Sequence, residues 1–109
     1  MADVLNVAFV ATSDATETAV LTCATDKIQT IIGLTICERG GADELFNLYI
    51  GDNGAGGTDY YIYDSQSLPA SSTFEHTGKI ILREADILYI KFDSSAVAHV
   101  VCSYLEQDE

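Results

Sequence analysis

Few residues in this chain are suited to covalent chemistry, and their spacing argues against it. His76 and His99 are the two histidines, and Cys102 follows His99 by three positions in a strand-like segment. Side chains three residues apart on a strand point to opposite faces, so His99 and Cys102 would not pair as base and nucleophile within one strand. Glu84 and Asp86 fit a turn better than the paired carboxylates of a glycosidase. We therefore expect no catalytic residues and no enzyme activity.

The glycine-rich segment 51–58, G-D-N-G-A-G-G-T, is the next candidate for a binding site. Its four glycines favour a loop, because ordering glycine in a regular element costs backbone entropy. Asp52-Asn53-Gly54 and Asp59 could offer oxygen ligands to calcium, but the alternating acids and final glutamate of an EF-hand are missing. The segment also lacks the Gly-Lys-Ser/Thr ending of a phosphate-binding loop. We expect neither a metal nor a cofactor.

Tyrosines form the remaining cluster of side chains suited to binding. Tyr60, Tyr61 and Tyr63 are close together in the chain, and Tyr49 precedes them across the glycine-rich segment. On an exposed sheet, a tyrosine ring supplies contact area and its hydroxyl supplies a hydrogen bond, which suits sugar stacking or a protein interface. The alternative is that these rings pack the edge of the sheet. The four tyrosines are the candidate interaction surface.

Short apolar segments must position these side chains, and their composition predicts strands. The runs Ile80–Leu82 and Ile87–Ile90 are too short and too rich in β-branched residues for helices. A polar tetrapeptide separates them, so they predict a β-hairpin. Leu88, Ile90 and Phe92 alternate along the second run and would share one apolar face. That face requires a second sheet to cover it.

Strand-like segments recur throughout the chain. They lie at residues 4–10, 19–23, 27–38, 44–50, 60–63, 74–76 and 96–105. In the first, Leu5, Val7 and Phe9 make one side more apolar, and Gly33 interrupts the longest, as a bulge would. Residues 106–109 read as a solvated acidic tail.

About eight strands without a convincing helix predict an all-β fold, an antiparallel β-sandwich of jelly-roll or immunoglobulin-like order. The chain is short enough for one domain over residues 1–109. Residues 1–15 are expected to form either an extended N-terminal arm or an edge strand. The pattern does not distinguish the two strand orders.

The charge balance limits the partners. Seventeen acidic and 5 basic residues give a net charge of -12, which disfavours direct binding to nucleic acid or to an anionic membrane surface. No apolar run approaches the roughly 20 residues that span a bilayer. The N-terminus lacks the basic start of a signal peptide, so we expect synthesis in the cytoplasm. Cys23, Cys37 and Cys102 are widely spaced, which favours buried thiols, with a disulfide as the alternative.

The order of several short pieces carries a family resemblance. They are Lys27 leading into a strand that ends at Cys37-Glu38, the tyrosine strand, Leu68–Ser72, Gly78–Leu82, Ala85-Asp86 and Ser103–Glu106. In this order the chain resembles small β-sandwich virion proteins of tailed bacteriophages, over roughly residues 16–106. The segment at 51–58 looks longer than the usual connection in that family.

The resemblance implies a head decoration, or cement, protein on the capsid exterior. Such a protein, often a homotrimer, clamps neighbouring subunits of the major capsid protein and resists the pressure of packaged DNA. The resemblance implies no catalytic residues. A neck or tail component is the alternative within virions, and a carbohydrate-binding module that uses the tyrosines is the alternative from another class.

Overall fold

The computed structural model describes residues 3–51 and 58–108, and this part of the chain is built from strands. The nine strands are β1 (Asp3–Thr12), β2 (Thr18–Thr22), β3 (Lys27–Glu38), β4 (Glu44–Gly51), β5 (Asp59–Leu68), β6 (Thr73–His76), β7 (Ile80–Leu82), β8 (Ile87–Phe92) and β9 (Ala98–Asp108). The described residues contain no helix able to cross a membrane. The all-β prediction is confirmed.

The strands form two antiparallel sheets that face each other. In the first sheet the order is β1-β9-β3, and both β6 and β7 pair with the far side of β3. In the second sheet the order is β2-β8-β4-β5. The chain changes sheet at nearly every connection, and this order is that of a jelly roll. It differs from the immunoglobulin order, in which the strands divide between the sheets in another way.

The hairpin predicted from β7 and β8 is wrong, because the two strands lie in different sheets. β7 pairs with β3, whereas β8 pairs with β2 and β4. The connection between them is fixed to the end of β2: the N–H of Ala85 donates to the carbonyl of Cys23, and the N–H of Cys23 donates to the carbonyl of Asp86. The polar tetrapeptide therefore crosses the sandwich instead of reversing the chain.

Alternation along the inner strands places the core as the sequence indicates. Leu88, Ile90 and Phe92 of β8 are all buried between the sheets. In β9 the residues Ala98, Val100, Cys102 and Tyr104 point inward and are buried. These side chains join one hydrophobic core with residues from both sheets.

The bulge expected near Gly33 is present in β3, and it interrupts the alternation of faces. The register with β9 shifts between Ile31 and Gly33, so an extra residue enters the strand at Ile32. Ile31 is fully buried before the shift and Leu34 is buried after it, while Ile32 is 45% exposed. Strict alternation along β3 would place Ile32 and Leu34 on one face, and the bulge separates them.

The acidic end of the chain is part of the sheet, contrary to the expected tail. β9 extends to Asp108, which forms an ion pair with Lys27 of β3. The Gln29 side-chain amide also donates to the carboxylate of Glu106, over 2.8 Å. Polar partners on β3 thus hold these acids in a strand.

Candidate functional site

The residues considered for covalent chemistry lie apart. His99 is exposed on the outside of β9, whereas Cys102 is fully buried in the core. Burial raises the pKa of the Cys102 thiol to about 11. Within residues 3–51 and 58–108 no cluster of three His, Cys, Asp or Glu side chains is arranged to hold a metal ion. The segment Asp52-Asn53-Gly54, suggested as a source of calcium ligands, lies outside the described residues.

The structure divides the four candidate tyrosines between different environments. Tyr49 and Tyr61 face each other across β4 and β5, with stacked rings whose centroids are 4.9 Å apart. Tyr61 is 52% exposed, while Tyr49 is only 3% exposed beneath its neighbours. This pair lies on the outer face of the second sheet.

Tyr89 extends the pair, and no local sequence pattern indicated it because it lies on the distant strand β8. It is opposite Tyr49 in the β4–β8 pairing, with ring centroids 5.6 Å apart. We call Tyr61, Tyr49 and Tyr89 the tyrosine row. It crosses three neighbouring strands on the outer face of the second sheet, with the rings of Tyr49 and Tyr61 stacked and the ring of Tyr89 tilted by 33° against Tyr49.

Tyr49, the buried member of the row, also forms a hydrogen bond with the connection between β1 and β2. The hydroxyl of Tyr49 donates to the carboxylate of Glu17. Burial raises the pKa of Tyr49, and the hydrogen bond and negative charge of Glu17 raise it further. Tyr49 therefore remains a neutral hydrogen-bond donor at neutral pH and has a packing role within the row.

Tyr60 and Tyr63 point away from the row. The ring of Tyr63 meets Phe74 edge to face, at 4.9 Å between centroids, and its hydroxyl lies 2.7 Å from Nδ1 of His76. It closes the edge of the core between the two sheets. Tyr60 is 56% exposed. Of the four predicted residues, only Tyr60 and Tyr61 thus present ring surface to a ligand.

A second exposed surface lies on the opposite side of the sandwich. We call it the β1–β9 face, and it consists of the outward side chains Leu5, Val7, Phe9 and Ala11 of β1 and His99, Val101, Ser103 and Leu105 of β9. Leu5 and Phe9 are each 73% exposed, and Val7 is 41% exposed. On β9, Leu105 lies opposite Leu5, and Val101 lies opposite Phe9. The more apolar side of β1 therefore faces outward.

The eight side chains of the β1–β9 face carry no formal charge with histidine neutral, although the chain has a net charge of -12. Asp3 continues the same side of β1 beyond Leu5, opposite Gln107. Phe9, Ala11, His99 and Val101 line a shallow groove of about 330 Å³ near one end of this face. Contiguous apolar surface of a few hundred Å² on a soluble protein commonly marks an interaction site. This surface can exclude water against a partner without burying an unpaired charge.

Neither a protein-family model nor a curated protein sequence matches the chain. Among solved structures, a subunit of Bacillus endospore appendages, described as disulfide-linked pili, is similar with a TM-score of 0.60 and 14% identity over 97% of this chain and 88% of that one. A chain of infectious bursal disease virus, Gx strain, gives a TM-score of 0.47 and 11% identity over 94% of this chain and 31% of that one. The CBM22-1 xylan-binding domain of Paenibacillus barcinonensis Xyn10C gives 0.44 and 9%, covering 89% and 67%.

The similarity to the appendage subunit shows a shared fold. At 14% identity it transfers no residue roles. The sequence marked the apolar side of β1 but did not indicate that it faces outward. Alternation shows which residues share a face, whereas the inward direction depends on the other sheet.

Proposed function

We propose that this chain is a structural subunit of a protein assembly and that it binds other protein subunits through the β1–β9 face. The observation that carries the proposal is the exposure of Leu5 and Phe9, each 73%, on one uncharged face. Burying a leucine or phenylalanine side chain contributes about 1.5–3 kcal/mol, so a few such residues can offset part of the cost of association.

The charge distribution supports a protein partner. A net charge of -12 repels other polyanions, and the side chains of the β1–β9 face add no formal charge of their own at the contact. The appendage subunit, which shares the fold, belongs to a pilus. That relationship is consistent with a self-assembling subunit.

In its specific form, the proposal is a decoration protein of a tailed-phage head, as the sequence resemblance implies. The β1–β9 face would bind the outer surface of the major capsid protein and bridge neighbouring capsid subunits. The acidic remainder of the surface would face the medium. A neck or tail component would use the same face on a different partner.

Binding to decoration-free phage heads tests this proposal. Wild-type protein should co-sediment with the heads and raise the temperature at which they release DNA. The double variant Leu5→Ser/Phe9→Ser should lose both effects. Leu45→Ser is the matched control, because Leu45 is 40% exposed on the second sheet, and it should behave as the wild type. Attachment to isolated tails and not to heads would favour the neck or tail role.

Carbohydrate binding is the second candidate, and the exposure of Tyr60 and Tyr61 favours it. Tyr61 presents one ring surface at the end of the tyrosine row, as sugar stacking requires. A glycan array tests this function: signals that disappear in Tyr61→Ala and persist in Tyr63→Ala would support it. An array with no signal would exclude the glycans displayed.

A further inference from the structure

The strand β1 has one open edge. Its ten residues pair with β9 on one side in an uninterrupted register, and β1 is the terminal strand of the first sheet. The N–H of Val7 donates to the side-chain oxygen of Asn6, at 2.9 Å, and so points away from β9. Because backbone groups of alternate residues point to alternate sides, those of Leu5, Val7 and Phe9 all face the open edge.

The other sheet edges have features that hinder strand addition. β2 has only five residues and a register shift between Ala19 and Leu21. β5 has two register shifts along its pairing with β4, and Ser65 within it has a positive φ of 55°. The fourth edge is divided between β6 and β7. Among the described strands, β1 alone combines length, regularity and an uncharged edge from Val4 to Thr12.

We propose that β1 pairs antiparallel with β1 of a second copy, around a two-fold axis at Val7. Leu5 of one copy then lies opposite Phe9 of the other, and Val7 lies opposite its own counterpart. The two first sheets become one continuous sheet. This inference rests on the proposed function, since it names a partner of the same subunit, but it uses the backbone edge of β1 and not its outward side chains.

The two faces of β1 exclude a register shifted by one residue. A shift by one residue would place Leu5 and Phe9 of one copy, which are exposed, on the same side of the joined sheet as Ala8 and Val10 of the other copy, which pack against the core. Pairing around Val7 keeps the apolar side chains together and allows about ten backbone hydrogen bonds along the two strands. The aliphatic and aromatic residues are then direct cross-strand neighbours, a favourable combination.

The uncharged run of β1 from Val4 to Thr12 allows a second copy of the same strand to be the occupant. Asp3 is the single charged residue of β1, and in this register it lies opposite Ala11 and away from its own counterpart. No like charges meet across the junction, although each copy has a net charge of -12. The joined β1–β9 faces also remain on one side of the dimer, where they can still bind a capsid. The two-fold pair differs from the homotrimer that the sequence resemblance implies.

Cysteine crosslinking tests the register in a Cys37→Ser background, since Cys37 is half-buried and the other two cysteines are buried. In Val7→Cys the two sulfur-bearing residues would face each other about 5.5 Å apart between Cα atoms, within the range of a disulfide. In Leu5→Cys the equivalent residues would be roughly 13 Å apart, which is too far. Mild oxidation should give about tenfold more covalent dimer for Val7→Cys.

Mixed Leu5→Cys and Phe9→Cys proteins should form a heterodisulfide, which a mass-labelled partner would reveal. Light scattering of the wild type should give twice the 11.7 kDa of one chain. Equal crosslinking at positions 5 and 7, a monomer at all concentrations, or a mass of three chains would overturn the inference. If a monomer still binds and stabilises heads, the proposed function stands while the pairing fails. If the dimer forms but binds no partner, the proposed function fails alone.

Discussion

The backbone N–H of Ser71 donates to the carboxylate of Glu38 over 2.8 Å, although the two residues are 33 positions apart. The other oxygen of Glu38 accepts from Gly40 at 2.7 Å, and Gly41 donates to the first at 2.9 Å. Glu38 is 2% exposed at the end of β3. One buried carboxylate thus joins the β3–β4 connection to the β5–β6 connection, using N–H groups that would otherwise lack partners.

This arrangement predicts a pH-dependent contribution to stability. Hydrogen bonds from Ser71 and the neighbouring backbone lower the pKa of Glu38, while burial acts in the opposite direction. The folded-state pKa is below the unfolded value, so the stabilisation is complete above about pH 4.5 and disappears as the pH falls through the folded-state value. Glu38→Gln should therefore unfold at a lower denaturant concentration than wild type at pH 7. Urea titrations should show the difference shrinking below pH 4.

Glu75→Gln is the control for this prediction, because Glu75 is exposed on β6. Its denaturation midpoint should match the wild type at both pH values. A Glu38→Gln protein whose loss of stability is the same at pH 7 and pH 3 would contradict the role of the ionised carboxylate.

Two isoleucines test the assignment of inner and outer faces. Ile90 is fully buried in β8, whereas Ile81 is 61% exposed in β7. Ile90→Ala should lower the free energy of unfolding by about 2–5 kcal/mol, because it removes buried methylenes and leaves a cavity. Ile81→Ala should change it by less than about 0.5 kcal/mol. Chemical denaturation of both variants measures the difference, and similar values would mean that the faces are misassigned.

Ile90→Asp should abolish soluble folding by placing a charge in the core.

The sequence predicted the local parts of this fold well. The faces of β8 and β9 follow from residue alternation alone, since Leu88 and Val100 are buried while their sequence neighbours are less so. Strand pairing depends on contacts between distant segments, and so the β7–β8 hairpin was predicted wrongly. The bulge at Ile32 reversed the faces within β3, an effect that one extra residue produces without changing composition.

The candidate surfaces were predictable only in part. Tyr61 was identified from its clustering, but Tyr89 reaches the same row from another strand through the sheet order. The role of Glu38 had no sequence signal, since an acid after an apolar strand usually reads as the start of a loop. The outward direction of Leu5 and Phe9 required knowledge of which side of β1 the second sheet covers.

Thiol reactivity should separate the three cysteines. Cys102 is fully buried, and burial raises its pKa to about 11, so little thiolate forms at pH 8. Cys37 is half-buried on the outer side of the first sheet. Native protein treated with iodoacetamide at pH 8 should be alkylated at Cys37 first, as peptide mass spectrometry will show. In urea, Cys102 should be alkylated at a rate comparable to that of Cys37. Alkylation of Cys102 as fast as Cys37 in the native protein would contradict the burial of Cys102.

Gly51 lies against Tyr89 at the end of the tyrosine row, and Gly33 in β3 is its matched control. A Cβ atom at Gly51 would lie 2.8 Å from Cε2 of Tyr89, whereas a Cβ atom at Gly33 would meet nothing within 4 Å. Gly51→Ala should therefore displace Tyr89 from its contact with Tyr49 and cost about 1–3 kcal/mol, the usual range for overpacking. The near-ultraviolet circular dichroism of the stacked tyrosines should weaken in the same variant. Gly33→Ala should leave both the spectrum and the stability close to wild type, because its φ is not positive. An unchanged tyrosine signal in Gly51→Ala would mean that the row does not depend on close approach of Tyr89 to the β4 backbone.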